Sequence, residues 1–170
     1  MQVANIIEEG RIGGPQIRNL MVASTLKKKN VEVTLIFPTK NSKDLKKQCN
    51  LLNVKYLSLS LREIKKSFFG VFMYVLLFPF EVIKLALIFK KKKYDLVHVS
   101  GGSLHNKGVF AAKLAGIKVI WELNDTYAPK IVKKIFSFTS RLANGFIFAS
   151  EKTKKYYSQL IPNKRKIFLI

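Results

Sequence analysis

The 170-residue sequence contains one cysteine, Cys49, which excludes a framework of intramolecular disulfides and fits a protein of a reducing compartment. No histidine lies near Cys49 in the sequence, so we interpret it as an ordinary helix residue. The sequence also lacks zinc-ligand spacings and the aromatic run of RNP-type RNA-binding modules. We therefore expect no metal site, and the basic residues do not predict specific nucleic-acid recognition.

Acidic residues are scarce, because ten Asp and Glu stand against 31 Lys and Arg, which gives a net charge of +21. Apolar residues make up 48% of the chain, so a charged disordered protein is excluded and one folded domain over residues 1–170 is predicted. The charge indicates a negative partner, and nucleic acid, anionic lipid and phosphorylated substrates all qualify. The lysines form small clusters, each of which alone is typical of a solvated surface: Lys27–Lys29, Lys90–Lys93 and Lys152–Lys155.

Residues 65–93 combine a long apolar stretch with lysines at both ends. The charge-free part, Phe68–Phe80, would rise about 20 Å as a helix, which is less than the roughly 30 Å of a hydrocarbon layer. A longer span would include Glu81 and Lys84, and Pro79 would kink it. We predict a helix pair or a bent helix that lies on the core and contacts an anionic membrane face. A buried core helix and a true span remain alternatives.

Apolar strand patterns and helical patterns alternate from one end of the chain to the other. Such alternation predicts an α/β fold, a doubly wound parallel sheet with helices on both faces, which is Rossmann-like. The first ten residues are neither basic nor apolar enough to predict a signal peptide. The predicted strands are 3–7, 31–37, 54–59, 96–99, 118–123, 145–149 and 166–170, and the predicted helices outside 65–93 are 15–29, 44–52, 106–115, 130–143 and 151–160.

Two adjacent glycines, Gly13 and Gly14, lie between the first strand and the first helix, with Pro15 suited to be the first helical residue. Glycine here has two interpretations. It can supply backbone angles for a tight turn, or it can let an anionic ligand approach the free N–H groups at the helix start. The spacing fits neither the dinucleotide fingerprint G-x-G-x-x-G nor a Walker lysine motif.

Ligands of doubly wound folds bind outside the carboxyl ends of the strands. The turn at residues 13–15 falls at that edge, as do the loops at residues 100–105 and 124–126, so we expect the three to converge. As plainer alternatives, Asp125 suits a turn or a helix cap, and Trp121 and His98 suit the core. The candidate side chains and glycines of the last two loops are Gly101, Gly102, His105, Asn124 and Asp125, and Ser150 and Glu151 follow the sixth strand.

Four blocks of the sequence, taken in order, resemble the N-terminal domain of GT-B glycosyltransferases of the family-four-like, retaining group. The blocks are IGGPQIRNLMVASTLKKKNVEVTLIFP, KKYDLVHVSGG, GIKVIWELNDTYAP and LANGFIFASEKTKKYY. The resemblance implies transfer of a sugar from a nucleotide-sugar donor to an acceptor bound mainly by this domain. It implies no essential metal and no cofactor besides the donor, which is a co-substrate.

Carried onto this chain, the resemblance implies that Gly13 and Gly14, with Pro15, lie beside the donor diphosphate and the acceptor. It implies a catalytic pair at Asn124 and Asp125, where the family commonly has His-Asp. Asparagine can hydrogen-bond but cannot titrate near neutral pH, so Asp125 is the better candidate for orienting a sugar hydroxyl. The remaining candidate substrate-binding residues are Gly101, Gly102, His105, Ser150 and Glu151.

Members of this group also carry a C-terminal domain that binds the nucleotide sugar. We therefore interpret the chain as the acceptor-binding half of a glycosyltransferase that works on a lipid-linked or saccharide acceptor in cell-surface polysaccharide assembly. It is expected to be cytoplasmic, peripheral on the inner face of the membrane, and inactive without a C-terminal donor domain or partner subunit. The alternatives are a non-catalytic membrane-recruitment subunit of a split glycosyltransferase and a Rossmann-like nucleotide binder.

Overall fold

The computed structural model describes residues 1–64, 67–163 and 165–170. Its strands form one all-parallel sheet in the order β3-β2-β1-β4-β5-β6-β7, which confirms the predicted doubly wound α/β fold. The strands are β1 (Gln2–Ile7), β2 (Glu32–Pro38), β3 (Lys55–Leu59), β4 (Leu96–Gly101), β5 (Lys118–Leu123), β6 (Gly145–Phe148) and β7 (Lys166–Leu169). The helices are α1 (Gly14–Lys27), α2 (Lys43–Leu51), α3 (Phe68–Lys91), α4 (Lys107–Ala115), α5 (Lys130–Thr139) and α6 (Glu151–Tyr157).

The strands are runs of apolar residues because both faces of a parallel sheet are covered by helices. On one face, α1 and α2 pack over β1 and β2 around Leu20, Leu35 and Cys49. On the other face, the helices α3 to α6 pack around Trp121 and Phe136, whose ring centroids lie 5.0 Å apart. The interpretations of Cys49 and Trp121 as packing residues are therefore confirmed, since both side chains are fully buried.

The strand order places β1, β4 and β5 next to one another. They are parallel, so the turn after β1, the loop after β4 and the loop after β5 leave the sheet at adjacent positions of the same edge. The direction of winding also reverses between β1 and β4, which is where doubly wound folds bind ligands. The predicted convergence of the three loops is confirmed.

Several predicted boundaries are wrong by a few residues. Strand β4 extends to Gly101, so Ser100 and Gly101 belong to the strand and not to the loop. Helix α1 begins one residue before Pro15, whose missing N–H is tolerated there as well. The helices predicted at 130–143 and 151–160 end earlier, at Thr139 and Tyr157, and tighten into short 3₁₀ turns, as helix ends often do.

The face that α1 buries also differs from the apolar pattern of its sequence. Ile17 and Met21 are half exposed, while Gln16 and Asn19 are buried. Polar partners on the sheet explain the rotation, because the Asn19 amide donates a 2.8 Å hydrogen bond to Ser100 Oγ. A helix whose buried partners are polar cannot be oriented from hydrophobic periodicity alone.

Helix α3 is a single helix with Pro79 inside it, so of the two predicted forms, a pair of helices and one bent helix, the pair is wrong. Its N-terminus is capped by Ser67, whose Oγ accepts a hydrogen bond from the Gly70 N–H. Among the described residues it is the one helix long and apolar enough to cross a membrane, but only 22% of its most apolar 18-residue window is buried. The alternative of a wholly buried core helix is therefore wrong. The exposed apolar residues are Phe68, Phe69, Val71, Phe72, Val75, Leu76, Phe80, Ile83 and Leu87.

Candidate functional site

The first element of the site is the open start of α1. Gly13, the residue before the helix, has an extended φ of −157°, which any residue adopts. A Cβ added at Gly14 would meet no atom within 4 Å. Within the described residues, no side chain caps this helix and its first turn carries no acidic residue. Neither glycine is needed for an unusual backbone angle, and the space that a side chain at Gly14 would fill is open at the helix start.

The second glycine pair, Gly101 and Gly102, is enclosed. Gly101 has φ +152°, and a Cβ there would lie 1.7 Å from Nδ1 of His105. A Cβ at Gly102 would lie 2.7 Å from Oδ2 of Asp125. The missing side chains therefore make room for the His105 ring and the Asp125 carboxylate, two of the predicted site residues.

Asp125 is half-buried and held from two sides. The Tyr157 hydroxyl donates a 2.8 Å hydrogen bond to its Oδ1, and the backbone N–H and hydroxyl of Ser103 contact its Oδ2 at 3.4 and 3.3 Å. Burial raises the pKa of Tyr157, as does its bond to Asp125, while Ser103 opposes the rise. The phenol thus stays protonated and donates. These contacts fix the orientation of the carboxylate, which suits a group that positions a ligand hydroxyl.

His105 lies beside a small cavity of about 190 Å³ whose wall also includes Glu8 and Arg11. Its Nδ1 is 3.3 Å from the carbonyl oxygen of Ser100. Burial raises the pKa of Glu8 above its usual value, and the charges of His105 and Lys107 only partly oppose this. Glu8 was not among the predicted site residues, although its position directly after β1, in the same turn as the glycines, was the available signal.

A buried charge cluster, Glu8, Glu81 and Lys107, lies beneath the turn after β1. The fully buried Lys107 ammonium is 2.7 Å from Glu81 Oε2 and 3.8 Å from Glu8 Oε2. It also lies 4.2 Å from the centroid of the Tyr74 ring. The sequence analysis did not predict this cluster. The available signal was Glu81, a carboxylate within the apolar sequence of α3.

On the opposite face, Glu122 is almost fully buried between His98 and Arg18. Its Oε2 lies 3.2 Å from His98 Nε2, and its other oxygen contacts the Arg18 guanidinium. Burial raises the pKa of Glu122, but the hydrogen bond and charge of His98 and the charge of Arg18 outweigh it, so the net pKa lies below the usual value. The interpretation of His98 as a core or near-core residue is confirmed in its near-core form, since the side chain is 18% exposed.

The remaining predicted residues lie at the neighbouring strand ends. The backbone N–H of Asn124 donates to the carbonyl of Gly101 at 3.3 Å, which ties β5 to β4. Ser150 Oγ accepts a 3.1 Å hydrogen bond from the Thr153 N–H, and Glu151 pairs with Lys154 at 3.4 Å on the surface. Ser150 and Glu151 thus form the start of α6. In the described ranges, no cluster of three or more His, Cys, Asp or Glu side chains is arranged to hold a metal ion.

This architecture, with its glycine turn and carboxylate at one edge of a parallel sheet, is that of the N-terminal domain of a GT-B glycosyltransferase. Residues 12–170 match the family model described as Glycosyltransferase Family 4. The chain therefore belongs to that family, and the resemblance found in the sequence is confirmed.

Among curated proteins, a UDP-N-acetylglucosamine–N-acetylmuramyl-(pentapeptide) pyrophosphoryl-undecaprenol N-acetylglucosamine transferase of Prochlorococcus marinus is 31% identical over an alignment of 83 residues that covers 45% of this chain. Among solved structures, a glycosyltransferase from Rickettsia africae matches with a TM-score of 0.76 at 17% identity over 99% of this chain. Anabaena Alr3699/HepE in complex with UDP-glucose matches with a TM-score of 0.74 at 14% identity over all of it.

The chain is shorter than these proteins. The match covers 23% of the curated transferase, 42% of the Rickettsia chain and 43% of the Anabaena chain. At such identities the solved structures establish the fold alone, since proteins of one fold can differ in chemistry.

Proposed function

We propose that this chain is the acceptor-side domain of a glycosyltransferase that moves a sugar from a nucleotide-sugar donor to a lipid-linked acceptor in cell-surface polysaccharide assembly. The observation that carries the proposal is the family match over residues 12–170, which includes every predicted site residue. The curated relative has a pyrophosphoryl-undecaprenol acceptor by name, which supports a lipid-linked acceptor. The Anabaena relative was solved with UDP-glucose, which supports a UDP-sugar donor.

In this proposal the open start of α1 faces phosphate. Gly14 and Gln16 offer backbone N–H groups, and no side chain at Gly13 or Gly14 blocks a ligand. Asp125, oriented by Tyr157, accepts a hydrogen bond from a sugar hydroxyl. Asn124 contributes hydrogen bonds only, because an amide does not titrate near neutral pH. No cofactor is needed besides the donor.

The proposed location is the inner face of the cytoplasmic membrane, bound peripherally through residues 65–93. Lys65 and Lys66 of this region lie outside the described residues. Helix α3 is about 36 Å long. Its outer face is apolar from Phe68 to Ile83, and the exposed lysines Lys84, Lys90 and Lys91 follow toward its C-terminal end. Its inner face is held to the domain by the ion pair between Glu81 and Lys107. A helix fixed along one side and apolar on the other suits the interface between water and lipid better than a span.

The donor-binding half is proposed to come from a C-terminal domain or a partner subunit, and we expect no turnover from residues 1–170 alone. The test expresses the chain together with any sequence that follows Ile170 in its reading frame. Transfer of labelled sugar from UDP-N-acetylglucosamine or UDP-glucose is measured with vesicles that contain polyprenyl-diphosphate-linked sugars. We expect a labelled lipid product.

Asp125→Asn should lower this transfer about 100-fold, because it weakens the positioning of the acceptor. Asp95→Asn is the matched control, since Asp95 lies at the opposite edge of the sheet and bonds the Gln2 backbone N–H. Equal effects of the two variants would contradict the role of Asp125. Vesicle binding without transfer from any nucleotide sugar would favour the membrane-recruitment subunit instead.

A further inference from the structure

The largest cavity near the proposed site lies between the ends of β2 and β3 and the start of α3. Its volume is about 520 Å³, within the usual range of small-molecule sites. Thr39 follows β2, Ser60 follows β3, and Met73 lies in the second turn of α3. The cavity therefore opens at the same carboxyl edge of the sheet as the glycine turn, two strands further along.

The lining of this cavity divides into two chemistries. One part is cationic and hydroxyl-bearing, and the other is apolar. The first part suits the oxygen atoms of a phosphate, which bind lysine and arginine side chains and hydroxyl groups. The second part suits hydrocarbon. The polar residues are Thr39, Lys40, Ser60, Arg62, Ser67 and one carboxylate, Glu63, which accepts a hydrogen bond from the Gly10 N–H; the apolar ones are Leu61, Phe69 and Met73.

The buried charge cluster holds the backbone beside this cavity. Arg62 donates its backbone N–H to Glu81 Oε1 at 2.9 Å, and its carbonyl accepts a hydrogen bond from the Lys107 ammonium. The segment that carries the guanidinium is thus tied to α3 and α4 at both of its backbone polar groups. The buried charge cluster thus supports the site, because it holds the backbone of Arg62 in a fixed position.

The apolar part of the cavity continues onto the exposed face of α3. Phe69 lines the cavity and is also 70% exposed. Phe72, Leu76 and Phe80 follow it along the outer face of the helix at intervals of about one turn. A chain of hydrocarbon that leaves the cavity therefore meets an apolar surface instead of water.

The polar end of the cavity leads toward the glycine turn. Glu63 lines both this cavity and the small cavity beside His105, and its Oε1 accepts a 3.2 Å hydrogen bond from the Gly10 N–H. Glu8 and Glu9 also line the small cavity, so it offers carboxyl acceptors for sugar hydroxyl groups. A ligand with its tail on α3 and its phosphate at Arg62 would direct a hydroxyl toward the proposed reaction edge.

We propose that this cavity binds the phosphate-bearing head of a polyprenyl-linked acceptor, with Lys40 and Arg62 on the phosphate and the hydrocarbon tail along the outer face of α3. The inference rests on the proposed function and deepens it, since it assigns the acceptor a binding site and makes it an anionic amphiphile. A soluble saccharide has neither the charge nor the tail for which the two parts of the lining are suited.

The test measures binding of the whole chain to phosphatidylcholine vesicles that carry undecaprenyl diphosphate. Vesicles with phosphatidylglycerol at the same surface charge are the reference. The unmodified chain should bind the polyprenyl vesicles at least about tenfold more tightly, and the double variant Lys40→Gln/Arg62→Gln should lose this preference. The charge-matched control Lys28→Gln/Lys29→Gln, beyond the far end of α1, should keep it.

A second variant, Ser60→Trp, fills the cavity without a change of charge and should also abolish the preference. Circular dichroism and urea unfolding of each variant confirm that it is folded. Equal affinity for the two vesicle types would overturn the proposal, as would an equal loss in the control. Competition by inorganic pyrophosphate as effective, at equal concentration, as that by undecaprenyl diphosphate would also overturn it, because the hydrocarbon tail would then contribute nothing to binding.

Binding is measured without donor or turnover, so the two proposals can fail separately. Selective binding through Lys40 and Arg62 without sugar transfer would leave the cavity assignment standing and remove the proposed function. Transfer that is unaffected by Ser60→Trp or by the double variant would support the function and reject this cavity as the acceptor site.

Discussion

The two glycine pairs at the carboxyl edge have the same sequence and opposite surroundings. Gly101 and Gly102 lie where side chains of other residues fill the space that a Cβ would need. Gly13 and Gly14 are not enclosed in this way, and Gly14 borders open space. Gly101 and Gly102 are therefore required for packing, whereas Gly13 and Gly14 leave room at the start of α1. A glycine pair in a sequence does not by itself distinguish these two uses.

The largest expected effect is that of Gly101→Ala. Its φ of +152° is strained for alanine, and the new methyl group would overlap the His105 ring. We expect the free energy of unfolding to fall by about 3 kcal/mol, from backbone strain and overpacking together. Urea unfolding measures the loss, and the NMR signals of the His105 ring should report its displacement.

The double variant Gly101→Ala/His105→Ala separates the two causes. Removal of the ring should recover the steric share of the loss, while the share due to backbone strain should remain. If Gly101→Ala were as stable as the unmodified chain, the enclosed position of this pair would be wrong.

Gly102→Ala should have a smaller effect on stability. The methyl group would lie 2.7 Å from Asp125 Oδ2, so the carboxylate must move away from Tyr157 or Ser103. Loss of one or two such hydrogen bonds costs about 1–2 kcal/mol. Sugar transfer should fall by more than the loss of folded protein explains, because the carboxylate that orients the acceptor is displaced. Unchanged transfer in a destabilised variant would show that Asp125 has a packing role only.

The sequence predicted the fold because its signals there are local. Apolar strands, helix starts such as Ser150 and the left-handed glycine Gly116 after α4 all act within a few residues. The strand order then follows from the short connections and right-handed crossovers of such folds. These local signals were enough to bring Asp125, His105 and the glycines to one edge.

The missed features depend on contacts between residues distant in the chain. Lys107 contacts Glu8 after β1 and Glu81 in α3, and the local sequence around Glu81 indicates an unusual carboxylate but does not identify its partners. The buried face of α1 was predicted wrongly for the same reason, because Asn19 hydrogen-bonds to Ser100 on a strand 81 residues later. Whether Gly14 is open or enclosed is also a property of the assembled domain.

Gly14→Ala is expected to have the smallest effect on stability and a clear effect on function. Alanine fits the backbone angles and contacts nothing, so the free energy of unfolding should stay the same or rise by less than about 0.5 kcal/mol. The methyl group would nevertheless occupy the space at the helix start that we assign to phosphate, and sugar transfer should fall about tenfold or more. Val22→Ala, on the exposed side of the same helix, is the control and should leave transfer unchanged. A variant that is less stable but has full transfer activity would contradict the assignment of this space to phosphate, because Gly14 would then be needed for the turn and not for the ligand.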